Sequence, residues 1–368
     1  LEVGYAHEAH RSILNAISSQ LRPPTVAFDT AYLEWRQKLW SNPFGLSDRL
    51  DVSVAKEKVK SADLAKQEST EDLVLKSLKG YWDVFVAQTQ LQDAMAAREH
   101  YKSLVAVVQK RGRFGLDKGG EFAQVMADFT DAENRVKTSS FEYLSKISDL
   151  ELLLQVKFQG DVRFEVGELV PSLPKFAAIN PAELRKLKQA EINFNNAKIS
   201  EQAVDWRNTP TMDLVARAAS TGMDERASAA YSEFLSGNKP TYYVGLEVSS
   251  PLDSSAFRAA RAKARVELER KRNALQVTQA ESARNLKLLE QKLAQTYAVA
   301  SGSIEAEKFR SRTVKEQEAE YAQGRMPLRE LLQTYRLYLD SQSKKVRAIG
   351  DYHITLNELA AERDELVR

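Results

Sequence analysis

Tyr242-Tyr243-Val244-Gly245-Leu246-Glu247-Val248-Ser249-Ser250-Pro251-Leu252 is the stretch on which the fold turns. Tyr242, Val244, Leu246 and Val248 occupy alternate positions, with Glu247 and Ser249 on the opposite parity. A period of two puts apolar and polar side chains on opposite faces of a strand. Beyond Pro251 no proline occurs until Pro327, and the composition turns to Ala, Leu, Glu, Lys, Gln and Arg. Proline costs about 3 kcal/mol inside a helix and these residues favour one, so a two-faced strand leads into a very long helix.

The same succession is read earlier in the chain. No proline lies between Pro43 and Pro171, and Arg49-Leu50-Asp51-Val52-Ser53-Val54 alternates just ahead of the helix-rich part of that stretch. Each alternating segment has a looser partner upstream, Thr25 to Trp35 after Pro23-Pro24 and Met212 to Ala219 after Pro210. The expected strands are 25–35, 49–55, 211–220 and 241–250, joined in pairs by loops holding Asn42-Pro43-Phe44-Gly45 and Ser236-Gly237-Asn238. Helices are expected at about 55–114, 121–157, 181–207, 253–323 and 327–366, with a further helix at the N-terminus.

Within the helices, Leu286, Leu289, Leu293, Tyr297, Ala300 and Ile304 step by three or four, as do Leu328, Leu332, Tyr335 and Leu339. Such a seam is that of a coiled coil. Between the two runs, Gly324 can end one helix in the left-handed region and Pro327 can start the next, which makes a helical hairpin with a tight tip. Gly119 and Gly120 hold the corresponding place in the first half. Pairing Pro24 with Pro210, Val52 with Val248 and Gly119 with Gly324 gives offsets of 186, 196 and 205. The chain therefore reads as two structural repeats, 1–185 and 186–368, each with strands, a long helix, a tip and a returning helix. The fold class is mainly α with a small β part.

Composition narrows the function. The 368 residues carry 53 Lys plus Arg against 51 Asp plus Glu, a net charge of +2 that excludes a polyanion-binding tail. No cysteine is present, so thiol nucleophiles, disulfides and thiolate metal sites are excluded, which suits an oxidising compartment. No apolar run reaches the roughly 20 residues of a membrane-spanning helix. Leu1 in place of Met is the start expected of a chain whose targeting peptide has been removed.

His7 and His10, three apart on the expected N-terminal helix, read as a solvated pair because no further ligands gather near them, and His100 and His353 stand alone. Gly112 to Gly120 lacks the Lys-Ser/Thr ending of a phosphate loop. The basic run Arg258, Arg261, Lys263, Arg265, Arg270, Lys271 and Arg272 is interrupted by Glu267 and Glu269 and reads as a solvated helix face, or as side chains within about five turns of the strand end that touch anionic lipid headgroups. No acid, base, nucleophile or metal set converges, so no enzyme, cofactor or metal is expected. Four two-faced strands cannot close a barrel alone, but three copies would supply twelve, with Tyr32, Trp35, Trp40, Tyr231, Tyr242 and Tyr243 available for interfacial belts.

Two motifs carry a family resemblance. Tyr243-Val-Gly-Leu-Glu-Val-Ser-Ser-Pro251-Leu252 is similar to the strand and Pro-Leu turn of the TolC family of outer-membrane factors. Tyr321-Ala-Gln-Gly324, followed by Leu328-Arg-Glu330-Leu331-Leu332-Gln333, is similar to that family's Tyr-x-x-Gly tip and returning helix, and Gln124-Val-Met-Ala-Asp128 is a weaker counterpart. The resemblance implies a homotrimer: a twelve-stranded outer-membrane β-barrel continued by an α-helical barrel across the periplasm, and a girdle at Phe158 to Asn180 that includes Val162, Phe164, Val166, Pro171 and Pro174. It implies barrel-to-helix transitions at Pro24, Pro210, Pro251 and Leu252. It also implies a periplasmic tip of Gly119, Gly120, Gly324, Arg325, Met326, Pro327 and Leu328, which would contact a periplasmic adaptor joined to an RND- or ABC-type inner-membrane pump. The family's acidic constriction falls on Glu330, whereas Gln333 replaces its second acid and Arg329 and Arg325 adjoin, which halves the acidic ring. The function so implied is an exit duct of a tripartite efflux pump or type I secretion system, with outer-membrane lipid as surroundings and no nucleic acid as partner. The alternative is a soluble or periplasmic coiled-coil adaptor protein.

Overall fold

The computed structural model describes residues 2–11, 25–40, 45–113, 119–158, 170–174, 176, 179–207, 210–237, 240–250 and 255–367. Pro24, Pro251, Leu252 and the central part of the expected girdle, Val162 to Val166, lie outside them.

The elements run β1 (Glu2–Arg11), β2 (Thr25–Lys38), α1 (Leu46–Arg113), α2 (Glu121–Leu154), α3 (Arg185–Arg207), β3 (Thr211–Asp224), α4 (Ala227–Ser236), β4 (Pro240–Ser249), α5 (Ser255–Ala322) and α6 (Leu328–Glu362). Twice, then, two strands are followed by a helix of 68 residues and a shorter returning one. The four strands form one antiparallel sheet in the order β1-β2-β3-β4.

Two expectations are corrected. Residues 49–55 are not a strand but the start of α1. Three apolar residues in alternation are too few to set the period: Leu50 and Val54, four apart, are half-buried together while Val52 is 54% exposed, which is a helix face. Asp48 in the first turn favours the positive helix end, and nothing between Val54 and Ala55 breaks the chain. The missing strand lies at the N-terminus, where β1 replaces the expected helix and pairs with β2 from Glu2 opposite Glu34 to Arg11 opposite Thr25. β1 spans positions 7 and 10, so the helical spacing expected of His7 and His10 does not apply. The strand entering α1 is therefore β2 and its counterpart entering α5 is β4, so the equivalences of Pro24 with Pro210 and of Val52 with Val248 do not hold.

The chain forms two compact units, Leu1–Ala62 with Ala190–Leu275 and Asp63–Gln189 with Gln276–Arg368. The first holds the sheet, α3 and α4. The second is a pack of helices in which the buried residues of α5 include Leu293, Ala300, Val314 and Tyr321, separated by multiples of seven. That spacing is a coiled-coil seam. It meets α6 at Leu328, Leu331, Leu332 and Tyr335, α1 at Tyr101, Leu104 and Val108, and α2 at Val125 and Ala132. Each fully buried leucine in that cluster contributes about 1.5–3 kcal/mol. A second cluster gathers Leu293, Ala300, Ala348, Tyr352 and Leu359.

Candidate functional site

The sheet has two chemically different faces. Across it, Val3, Leu33, Ala218 and Tyr242 stand side by side, and one layer on Trp35, Ala216 and Val244 do the same. Directly paired residues of antiparallel strands share a face, so this face is apolar. Tyr242 is 77% and Val244 73% exposed. The opposite face pairs Glu2, Glu34, Arg217 and Tyr243. On it Arg36 donates to Glu247 at 2.7 Å and lies 3.3 Å from Glu34 and 3.6 Å from Asp213, tying β2 to β3 and β4. Arg217 lies over the Tyr32 ring at 4.0 Å, and the Tyr32 hydroxyl donates to Glu2. Tyr32 and Tyr243 therefore belong to the polar face and leave the set of candidate belt aromatics. A depression on this face is lined by Thr30, Glu34, Arg36, Arg217, Tyr243 and Glu247.

β1 pairs only with β2, and β4 only with β3. Both outer edges thus offer rows of backbone donors and acceptors with no strand partner among the described residues. Exposed apolar edges of this length are avoided in water and are resolved by pairing with further strands.

The helix hairpins end in glycine turns. Gly324 has φ +74, its N–H donates to the Tyr321 carbonyl, and the Arg325 N–H donates to the Glu320 carbonyl. This pattern of nested bonds closes α5 in a left-handed cap. Pro327 stands at the N-cap of α6, one residue before the first helical position expected for it. Gly120 with φ +95 caps α2. Of the sequence-predicted tip residues, Gly119, Gly120, Gly324, Arg325 and Pro327 are exposed, Met326 is half-buried, and Leu328 is 1% exposed in the helix core. Glu330, Gln333 and Arg329 are exposed on α6, away from Leu328, Leu331 and Leu332.

Beneath that turn the polar groups are tied together. Arg336 of α6 donates to Asp128 of α2 at 2.5 Å. Burial, aided by Asp128, pushes the Tyr101 hydroxyl up to about 12. The His100 ring stacks on Tyr335 at 3.9 Å, with Nδ1 3.4 Å from Glu318. Burial lowers the His100 imidazole and raises the Glu318 carboxyl, so at that long separation desolvation outweighs pairing. His353 stacks on Trp82 at 3.8 Å and serves packing.

Three carboxylates, Glu68, Glu71 and Asp364, come close enough to hold a cation. Arg185 already fills that role: its guanidinium pairs with Glu71 and lies 3.1 Å from Asp364 and 3.9 Å from Glu68. The cluster is an ion network that binds α1, α3 and the end of α6. Five members of the basic run on α5 are likewise engaged. Arg261 pairs with Asp205 at 3.2 Å, Arg265 with Glu201 at 3.9 Å, and Arg270, Lys271 and Arg272 with glutamates of their own helix.

The chain thus combines a two-faced sheet, both of whose edges lack a strand partner among the described residues, with coiled-coil helix hairpins. No protein-family model and no curated protein sequence matches the chain. Solved structures do match over its whole length. CusC, studied for the conformational changes accompanying folding and transmembrane channel formation, aligns with a TM-score of 0.83 at 13% identity over 98% of this chain and 82% of its own. The CmeC outer membrane channel of Campylobacter jejuni gives 0.81 at 12% identity over 100% and 78%. The open state of the Neisseria gonorrhoeae MtrE outer membrane channel gives 0.77 at 11% over 100% and 82%. The chain therefore has the fold of TolC-type outer-membrane channels.

Proposed function

We propose that this chain is one third of an outer-membrane exit duct. Three copies close a twelve-stranded barrel edge to edge, β4 of one against β1 of the next, with the apolar face toward lipid and the polar face toward the lumen. The observation that carries this reading is the two-faced sheet with both edges unpaired. Twelve is an even strand number within the range of outer-membrane barrels, and closure satisfies every edge group. The fold shared with outer-membrane channels supports the same conclusion.

In this reading the duct passes solutes through the outer membrane and periplasm without catalysing any reaction. The glycine turns at Gly119, Gly120 and Gly324 with Arg325 and Pro327 form the periplasmic entrance, where an adaptor linked to an inner-membrane RND- or ABC-type pump docks and opens it. Glu330, Gln333 and Arg329, exposed on α6, line the constriction, and the mixture of charges there gives weak cation block. The test is reconstitution into planar bilayers. Stepwise conductance that needs detergent-extracted protein is expected; a water-soluble chain without conductance would favour the coiled-coil adaptor reading instead.

A further inference from the structure

We propose that α4 is a membrane-interface helix, seated on the lipid-facing side of the barrel strands, whose free edge at Tyr231 and Leu235 is covered by lipid at the boundary between hydrocarbon and headgroups. The inference rests on the barrel reading above and adds to it a lipid contact made by a helix rather than by a strand.

The seat is defined by close packing. α4 packs on β2 and β3, and its Ala230 is wholly buried. At Gly222 a Cβ would collide with the Ala230 carbonyl oxygen and come within 2.5 Å of the Phe234 nitrogen, so the helix backbone lies directly on the strand. The Ser220 hydroxyl donates to the Phe234 carbonyl at 3.1 Å, and the Met223 N–H donates to the Glu233 carboxylate at 2.9 Å. Beneath it Ala27 and Asp29 are 5% and 1% exposed. Asp29 pairs with Gly222, and Ala27, Asp29, Ser220 and Gly222 share the parity of Leu33, Trp35, Ala216 and Ala218. α4 therefore covers the apolar face, not the polar one.

Its composition suits that place. Among its ten residues only Glu233 carries a charge at neutral pH, and that carboxylate is held by the strand backbone. The rest are Ala, Ser, Tyr, Phe and Leu, with no lysine or arginine to hold the helix in water. Tyr231 is 48% and Leu235 64% exposed. Phe234 lies 5.9 Å from Tyr5 and 6.0 Å from Tyr231, ring to ring, which makes a short aromatic line at one end of the strands. Outer-membrane barrels carry aromatic girdles at such positions. From Met212 to Ser220 the strand rises about 27 Å, or about 20 Å along the membrane normal at a tilt near 40°, close to the height of an apolar band. α4 thus begins where the band ends. It also roofs Asp29, which lies opposite Gly222 just beyond that band and whose carboxylate accepts the Tyr5 hydroxyl at 2.6 Å.

The chain has no cysteine, so single-cysteine nitroxide labels report unambiguously. Labels at Leu235→Cys, Val244→Cys and Arg36→Cys in phosphatidylcholine proteoliposomes are compared for collision with oxygen, which concentrates in lipid, and with a nickel chelate, which stays in water. Oxygen preference of about threefold or more at both Leu235 and Val244, with nickel preference at Arg36, is the expected result. Oxygen preference at Val244 with nickel preference at Leu235 overturns the proposal and leaves the barrel intact. A Leu235 label hidden from both reagents means a neighbouring copy covers α4, which overturns it too. Nickel preference at both Val244 and Leu235 overturns the barrel reading itself.

Discussion

Arg336 of α6 holds Asp128 of α2 at 2.5 Å, joining two helices that are 208 residues apart at this contact. Asp128 is 7% exposed, whereas the Arg336 side chain paired with it is largely open to solvent. Replacing Arg336 by Met leaves a buried carboxylate without its cation. A loss of about 1–2 kcal/mol is expected, below the full cost of breaking a buried pair because one partner is screened. Adding Asp128→Asn should restore most of it. Thermal melts of the two single variants and the double variant measure the coupling, and strictly additive losses would show the contact to be idle.

Gly324 at φ +74 sits where an L side chain is strained. Gly324→Val should destabilise the hairpin by about 1–3 kcal/mol, whereas Gly324→Asn, which tolerates the left-handed region, should cost less. Hydrogen exchange of the Arg325 amide, bonded to Glu320, reads the loosening locally.

His100 gives the helix pack a pH dependence. Burial lowers its folded value below the ordinary 6.5, so between that lowered value and 6.5 the unfolded chain binds more protons than the folded one. Stability therefore falls as pH drops through that window. Glu318 acts in the opposite sense: its raised folded value means stability is gained as pH falls through it. The melting temperature of the wild type should drop between pH 7.5 and 5.5. His100→Gln should shrink the drop and Glu318→Gln should deepen it; identical drops in all three would refute the assignment.

Gly222→Val would push α4 off the sheet, since the added side chain meets Ala230 and Phe234 backbone atoms. Proteolysis in the segment between β3 and β4 should accelerate by about tenfold or more, while the rest of the sheet, held by its ladders, stays protected. An unchanged cleavage pattern would mean that α4 is anchored elsewhere.

Most of the helical architecture was legible because its signals are long: proline-free stretches, seams such as Leu286 to Ile304, and the glycine turn at Gly324. The strand before α5 was legible for the opposite reason, since four apolar residues alternate without interruption ahead of a proline. The first strand pair was misread because Leu50 and Val54, four apart, fit a helix face as well as a strand face, and a single further apolar residue, Val52, does not decide between them. β1 carries the signal that was passed over, Val3 and Tyr5 on one parity and Glu2, Gly4 and Ala6 on the other. The ionic contacts of Arg36 and the seat of α4 were not legible at all. They depend on register between strands more than 170 residues apart, which no local pattern encodes.

Whether the open sheet closes with two further copies is read by native mass spectrometry of the detergent-extracted protein. With a chain of 41.4 kDa, three copies amount to about 124 kDa, and that mass, with no stable monomer once detergent is kept above its micellar concentration, is the expected result. A monodisperse monomer or dimer that stays in solution without detergent would contradict it.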